Sequence, residues 1–136
     1  MNERQQIEDL LEELYAARMR GDIEAIRCLF AKDATFRMAG SAAASPIAVS
    51  TQGHEEVLPL LQRMIDTFEH SDFEILSMLI DGHKVAVHWR STVRHTGTNR
   101  VAETELMDLI ELADGRVKSF TEFCDTALAA RLMAAK

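Results

Sequence analysis

Residues 72–124 read DFEILSMLIDGHKVAVHWRSTVRHTGTNRVAETELMDLIELADGRVKSFTEFC, and the rhythm of this stretch decides the fold. Apolar and polar residues alternate with a period near two, the spacing of side chains on the two faces of a strand. Turn-forming clusters interrupt the alternation at Asp81-Gly82, at His95-Thr96-Gly97-Thr98-Asn99 and at Asp114-Gly115. The spacing predicts strands over 72–80, 84–94, 100–112 and 116–124, joined by hairpins into one contiguous antiparallel sheet.

Upstream of this stretch the period changes to that of a helix. Ile7, Leu10, Leu11 and Leu14 fall on one face, with Glu8, Asp9, Glu12 and Glu13 opposite, between a candidate N-cap at Asn2 and a candidate stop at Gly21. Asp22 can cap a second, shorter helix carrying Ile26, Leu29 and Phe30. A third apolar stripe, Val57, Leu60, Leu61, Met64, Ile65 and Phe68, predicts a helix starting near Glu55 or Glu56, because Pro59 is tolerated only near the first turn. A short strand over 34–38 precedes that helix, and a short helix over 126–134 follows the last strand. Helices first and strands afterwards is the order of an α+β domain whose helices cover one face of a curved sheet. Residues 39–50 (AGSAAASPIAVS) read as a loop, either a plain connector or a lid over a cavity.

A chain of 136 residues is expected to form one domain, 1–136, around one core. With 47% apolar and 27% charged residues the composition is that of a soluble globular protein, and no apolar run approaches the roughly 18 residues of a membrane span. The polar start, Met1-Asn2-Glu3-Arg4, lacks the pattern of a secretory signal, so a cytoplasmic location is expected. Fifteen basic against 22 acidic side chains give a net charge of −7, which argues against a nucleic-acid partner. Cys28 and Cys124 stand far apart with no CxxC spacing, as free thiols of a reducing compartment would. His54, His70, His83, His88 and His95 show no HxxxH or HExxH pattern, and no GxSxG elbow, phosphate loop or dinucleotide fingerprint occurs, so neither a metal nor a cofactor is expected.

The alternation also shows which polar residues share a face with core residues. In the third predicted strand Asp108 lies with Leu106, Ile110 and Leu112, where its carboxyl needs a partner or a proton. In the second, Val85, Val87, Trp89, Ser91 and Val93 form the apolar face; Trp89 fits either core packing or a ligand wall. In the fourth, Phe120, Glu122 and Cys124 oppose Ser119, Thr121, Phe123 and Asp125, and either set could face inward. If Glu122 does, two carboxyls enter one cavity and their pKa values split into an acid and a base. Arg90, Arg94 and Arg100 are expected to be solvated or to pair with Glu103 and Glu105 across strands.

Four stretches, YAARMRGD at 15–22, LFAKDATF at 29–36, VAVHWR at 85–90 and GRVKSFTEFCDTAL at 115–128, carry a family likeness in their order and spacing. The sequence resembles the nuclear-transport-factor-2-like superfamily, in particular its SnoaL-like and ketosteroid-isomerase-like small proteins, over nearly the whole chain. The resemblance implies a cone: a curved antiparallel sheet wrapped around helices, enclosing an apolar pocket and commonly dimerising through its outer sheet face. It directs Trp89, Leu106, Asp108, Ile110, Phe120 and Glu122 into the cone. Asp108 falls where ketosteroid isomerases place their protonated, oxyanion-stabilising aspartate, provided one residue is removed from the following turn. Their general-base aspartate is replaced, since Ala34-Thr35-Phe36-Arg37 leads into Met38. Their catalytic tyrosine falls on Leu14, with Tyr15 about 100° around the helix. Compared with epoxide hydrolases of the same fold, Glu122 lies near one of their acids, but Trp89 and Val87 stand where the second acid and the arginine lie.

Two functional expectations follow. One is acid–base isomerisation, cyclisation or water addition on a small carbonyl-bearing molecule. Asp108 would donate to the developing oxyanion and Glu122 would move the proton, with Met38 and Trp89 shaping the pocket and Tyr15 as a second donor. The other is a non-catalytic ligand-binding or dimeric interaction module in which Asp108 is a structural acid. The expected partners are a small apolar organic ligand and a second copy of the chain. The second copy would meet an outer face that carries Met107 and Leu109 among Glu103, Glu105 and Glu111.

Overall fold

A computed structural model describes residues 2–135, and α1 (Glu3–Arg20) opens it. The Asn2 side chain accepts from the Gln5 amide at 2.8 Å, and Gly21, at φ 73°, ends the helix in the left-handed conformation that glycine adopts without strain. Asp22 caps α2 (Ile23–Leu29) by accepting from the Ala25 amide. The chain passes directly into β1 (Phe30–Met38), which begins earlier than the strand over 34–38 that the sequence predicts. β2 (Val49–Gln52) then forms inside what reads as loop and connector. α3 (His54–Thr67) starts at His54, so Pro59 is its sixth residue and removes one helical hydrogen bond, that to the Glu55 carbonyl.

β3 (Phe68–Asp81), β4 (Lys84–His95), β5 (Val101–Ala113) and β6 (Arg116–Phe123) are the antiparallel meander, followed by α4 (Thr126–Met133). At the β5–β6 hairpin Asp114 and Gly115 both take positive φ, 52° and 73°, the conformation that Asp-Gly favours between twisted strands. The sheet order is β2-β1-β6-β5-β4-β3, with both edges unpaired, so the sheet is curved but not closed. It is mixed and not wholly antiparallel, because β1 runs parallel to β6. No hairpin joins those two strands, so nothing local forces them to run in opposite directions.

The helices cover the inner face. Leu11, Val57, Val87, Trp89 and Val117 are fully buried in one cluster, and Phe36 stacks on Phe120 with ring centroids 5.1 Å apart. On the outer face Arg90 bonds Glu74 at 2.7 Å and Arg94 bonds Glu69. Both reach toward β3, where Glu74 and Glu69 stand directly opposite them in register, and not to Glu103 or to Glu105, which stands equally opposite Arg90 on β5. Glu105 takes His88 instead, at 2.7 Å, and Arg100 donates to the carbonyls of Arg131 and Ala134 at the end of α4. Both cysteines are free, and among the described residues no helix is long and apolar enough to cross a membrane.

Candidate functional site

Three polar residues are buried in the described chain: Ser91, Asp108 and Glu122. β4, β5 and β6 bring them onto one inner face. Asp108 stands directly across from Val87 on one side and Glu122 on the other, and Leu106 opposes Trp89. The inward face of β6 carries Val117, Phe120 and Glu122, an irregular spacing allowed by a register shift where Leu112 pairs with Val117 and Glu111 with Ser119. That shift decides which way Glu122 points.

Around Asp108 the geometry is tight. The Tyr15 hydroxyl donates to Asp108 Oδ2 at 2.5 Å, and the Trp89 indole nitrogen donates to the same oxygen at 2.7 Å. Leu14, where the family likeness would put a catalytic tyrosine, is a buried core residue. Asp108 Oδ1 receives no donor. Its neighbour across the strands, Glu122, offers only acceptor oxygens when ionised, so Oδ1 is satisfied by holding a proton itself and giving it toward Glu122. Burial, then the charge and hydrogen bond of Glu122, push the Asp108 carboxyl well above the usual carboxylate range.

Glu122 is the ionised member of the pair. Arg18 reaches it with both terminal nitrogens, Nη1 to Oε2 at 2.5 Å and Nη2 to Oε1 at 2.8 Å, while the guanidinium lies 5.4 Å from the centre of the Trp89 ring. Burial opposes the Glu122 charge, but Arg18 and the Asp108 proton outweigh it and hold the carboxyl below its ordinary value. The cluster therefore carries one positive charge, one negative charge and one shared proton, and it is neutral. Tyr15 keeps its proton, because burial raises its pKa well above the ordinary value.

Beside this cluster lies a cavity of about 520 Å³, bounded by the ends of α1 and α3, the inner faces of β3 to β6 and the apolar side of α4. Met38, Leu106 and Glu122 form part of its wall, as does Ile47 from the connector between β1 and β2. Tyr15 and Phe120 line a much smaller space of about 10 Å³ between α1, α3 and the sheet. Asp108, Trp89 and Ile110 line neither, so the proton-bearing carboxyl stands one layer behind the wall. Among the described residues no three His, Cys, Asp or Glu side chains gather as a metal site.

Arg18 and His70 are among the wall residues that escaped the sequence reading. Arg18 follows Leu11, Leu14 and Tyr15 at the three- and four-residue spacing of the buried face of α1, which was the available signal. His70 Nδ1 lies 2.7 Å from the Ser91 hydroxyl, and the ring is 5.3 Å from that of Trp89. Burial, and next the nearby Arg18 charge, lower its pKa to about 4, so the ring is neutral at pH 7. Cys124 on the same wall is pushed up to about 11, first by burial and then by Glu122, which keeps it a thiol.

With that geometry, solved structures of similar shape bear on the site. An NTF2-like protein from Burkholderia xenovorans LB400 is 28% identical, with 96% of this chain and 97% of that one covered at a TM-score of 0.81. A candidate isomerase from Bacillus subtilis is 16% identical, covering 97% and 95% at 0.85, and a candidate polyketide cyclase from Xanthomonas campestris pv. campestris is 17% identical, covering 98% and 100% at 0.77. These two likenesses speak to fold alone. No curated protein matches the chain. The model of the SnoaL-like domain matches residues 11–120, most of the helical layer and the whole sheet up to Phe120, and the chain therefore belongs to the SnoaL-like family.

Proposed function

We propose that the cavity takes a small, largely apolar, uncharged organic molecule bearing a carbonyl group, and that the Asp108–Glu122 pair supports acid–base chemistry on it. Isomerisation, cyclisation and water addition are the reactions in its reach. The observation that carries this reading is a buried carboxyl pair that holds one proton and ends, at Glu122, on the wall of a cavity of about 520 Å³. Asp108 holds the proton and Glu122 passes it to the cavity. Tyr15 and Trp89 fix the far oxygen of Asp108, so the carboxyl cannot turn away. Met38 and Leu106 supply apolar wall, Ile110 and Phe120 back it from the core, and the connector carrying Ile47 is a candidate lid.

One observation favours the other reading, a binding module without chemistry: Asp108 touches no cavity, and Glu122 is clamped by Arg18. Turnover separates the two. Small ketones, enones and epoxides are screened through Trp89 fluorescence, which senses the cavity through Arg18 and His70. Binders are then followed for product with wild type, Asp108→Asn and Glu122→Gln. Product lost in either variant while binding persists supports the enzyme; binding by wild type with no product across the panel supports the module.

The same reading includes a single domain over 1–136, a homodimer and a cytoplasmic location. Leu79, Leu109, Phe123 and Met107 are 67%, 53%, 45% and 40% exposed on the outer sheet face, enough apolar surface to meet a second copy. The two free thiols suit a reducing compartment.

A further inference from the structure

We infer that His70, oriented by Ser91, is the base that takes a proton from the bound molecule, and that the cavity's substrate is a carbon acid with a C–H next to its carbonyl. The inference rests on the reading above and assigns the partner that the carboxyl pair lacks. Glu122 is fully occupied: both its oxygens hold Arg18, and it faces the Asp108 proton. Arg18 is cationic and Cys124 is held as a thiol. His70 differs from them. Its ring lies on the cavity wall, its Nδ1 is engaged by Ser91, and its Nε2 has no hydrogen-bond partner among the described residues.

Local structure explains how a histidine comes to stand there. In an unbroken strand His70 and Phe73 would face opposite ways. The register slips between Ser71 and Glu74, with Asp72 at φ 52°, and this bulge turns both side chains to the inner side, His70 opposite Val93 and within reach of the buried Ser91. Ser91 is the one buried serine or threonine of the described chain, and no other side chain bonds it. A hydroxyl that accepts from Nδ1–H leaves the Nε2 lone pair free, and it can keep that bond when Nε2 gains a proton. The Trp89 ring edge fixes the plane of the imidazole. The charged groups that bear on the ring are Arg18 from α1, which disfavours its protonation, and Glu122 from β6, which favours it.

The step balances without a co-reactant. Nε2 takes the proton from carbon, the C–H electron pair becomes a carbon–carbon π bond, and the carbonyl π pair moves to oxygen. That oxygen is met by the Arg18 guanidinium, which stands on the same wall. His70 then returns its proton to carbon, at the same position or at the far end of the enol, and the second outcome is an isomerisation. The wall also carries more acidic than basic side chains, Asp66, Glu69, Glu122 and Asp125 against Arg18 and Arg20, which disfavours anionic substrates.

The test uses 2-tetralone, a neutral cyclic ketone with an activated C–H, in D₂O, with exchange followed by proton NMR and binding by Trp89 fluorescence. Wild type should bind it and speed the exchange. His70→Gln and His70→Ala should bind within about twofold yet lose at least about 100-fold of the exchange rate, the usual contribution of a positioned base. Ser91→Ala should slow exchange at least about tenfold and change the ¹⁵N signature of His70 from the Nδ1–H form. Exchange undiminished in His70→Gln overturns the assignment of His70 alone. Binding without exchange in wild type overturns both the base and the acid–base reading, and no binding overturns the ligand reading beneath them. A ¹⁵N spectrum of wild type at pH 6 showing an imidazolium or an Nε2–H form removes His70 as the base whatever the ketone does.

Discussion

Replacing Asp108 by Asn should leave the fold as stable as wild type below about pH 4, where the unfolded aspartate also holds its proton, and make it more stable above that. An asparagine reproduces the protonated aspartic acid: its Oδ1 can accept from Tyr15 and Trp89, and its amide can donate toward Glu122. It differs in having no proton to lose. In the unfolded chain Asp and Glu titrate near about 3.9 and 4.3, so above about pH 5 that chain holds neither proton while the folded pair holds one. Because the Asp108 pKa is raised on folding, wild-type stability should fall as pH climbs, by about 1.4 kcal/mol per pH unit, until the folded pair itself ionises. Glu122 acts in the opposite direction: its lowered pKa contributes stability above the unfolded value that is lost as pH falls through the folded one. The pair alone thus gives a maximum near about pH 4, and Asp108→Asn should keep the acid limb and flatten the alkaline one. Asp108→Ala, in contrast, strands the Tyr15 hydroxyl and the Trp89 indole, each costing about 1–3 kcal/mol when buried without a partner. Urea unfolding of the three proteins from pH 4 to 9 measures this. An Asp108→Asn protein destabilised by more than about 2 kcal/mol at pH 7, with the wild-type slope retained, would refute the protonated carboxyl.

Arg18→Met removes the cation bonded to buried Glu122 and should cost about 3–5 kcal/mol by urea unfolding, most of it recovered when Glu122→Leu is added; a loss below about 1 kcal/mol would mean the pair is solvated. Light scattering at micromolar concentration should give twice the mass of one chain, and Leu109→Glu together with Leu79→Glu should halve it; a wild-type monomer refutes the dimer. Leu106→Trp, on the cavity wall, should abolish the ligand response of the protein while leaving its circular dichroism unchanged, and retained binding would place the ligand elsewhere.

Local chemistry made most of the fold legible. Asp114-Gly115, Gly21 and Asp22 carry their own conformational instructions, and the hairpins and helix ends fall where those residues put them. The strand starts were less visible, because α2 passes into β1 at Phe30 and α3 into β3 at Phe68 with no turn residue between. A bulky residue that caps one element in extended conformation and opens the next leaves no punctuation. The parallel pairing of β1 with β6 was invisible for a different reason. It joins residues such as Met38 and Glu122 that are distant in sequence, and the pairing is decided by which face the helices cover and not by any residue in either strand.

The candidate site divides along the same line. Asp108 and Trp89 could be assigned to the inner face because β5 and β4 keep strict alternation along their shared register. Glu122 and His70 could not, and the cause is one mechanism acting twice. A bulge inserts a residue and inverts the parity of everything on one side of it. On β6 the slip near Val117 lets both Val117 and Phe120 face inward, which fixes Glu122. On β3 the slip at Asp72 does the same for His70 and Phe73. A positive φ at a non-glycine residue costs roughly 1 kcal/mol or more, and a β-strand has no need of it for pairing alone. At Asp72 its consequence is to bring an imidazole beside Ser91 on the wall that Glu122 also forms, so the point where sequence periodicity fails is also the point where the cavity acquires its uncommitted nitrogen.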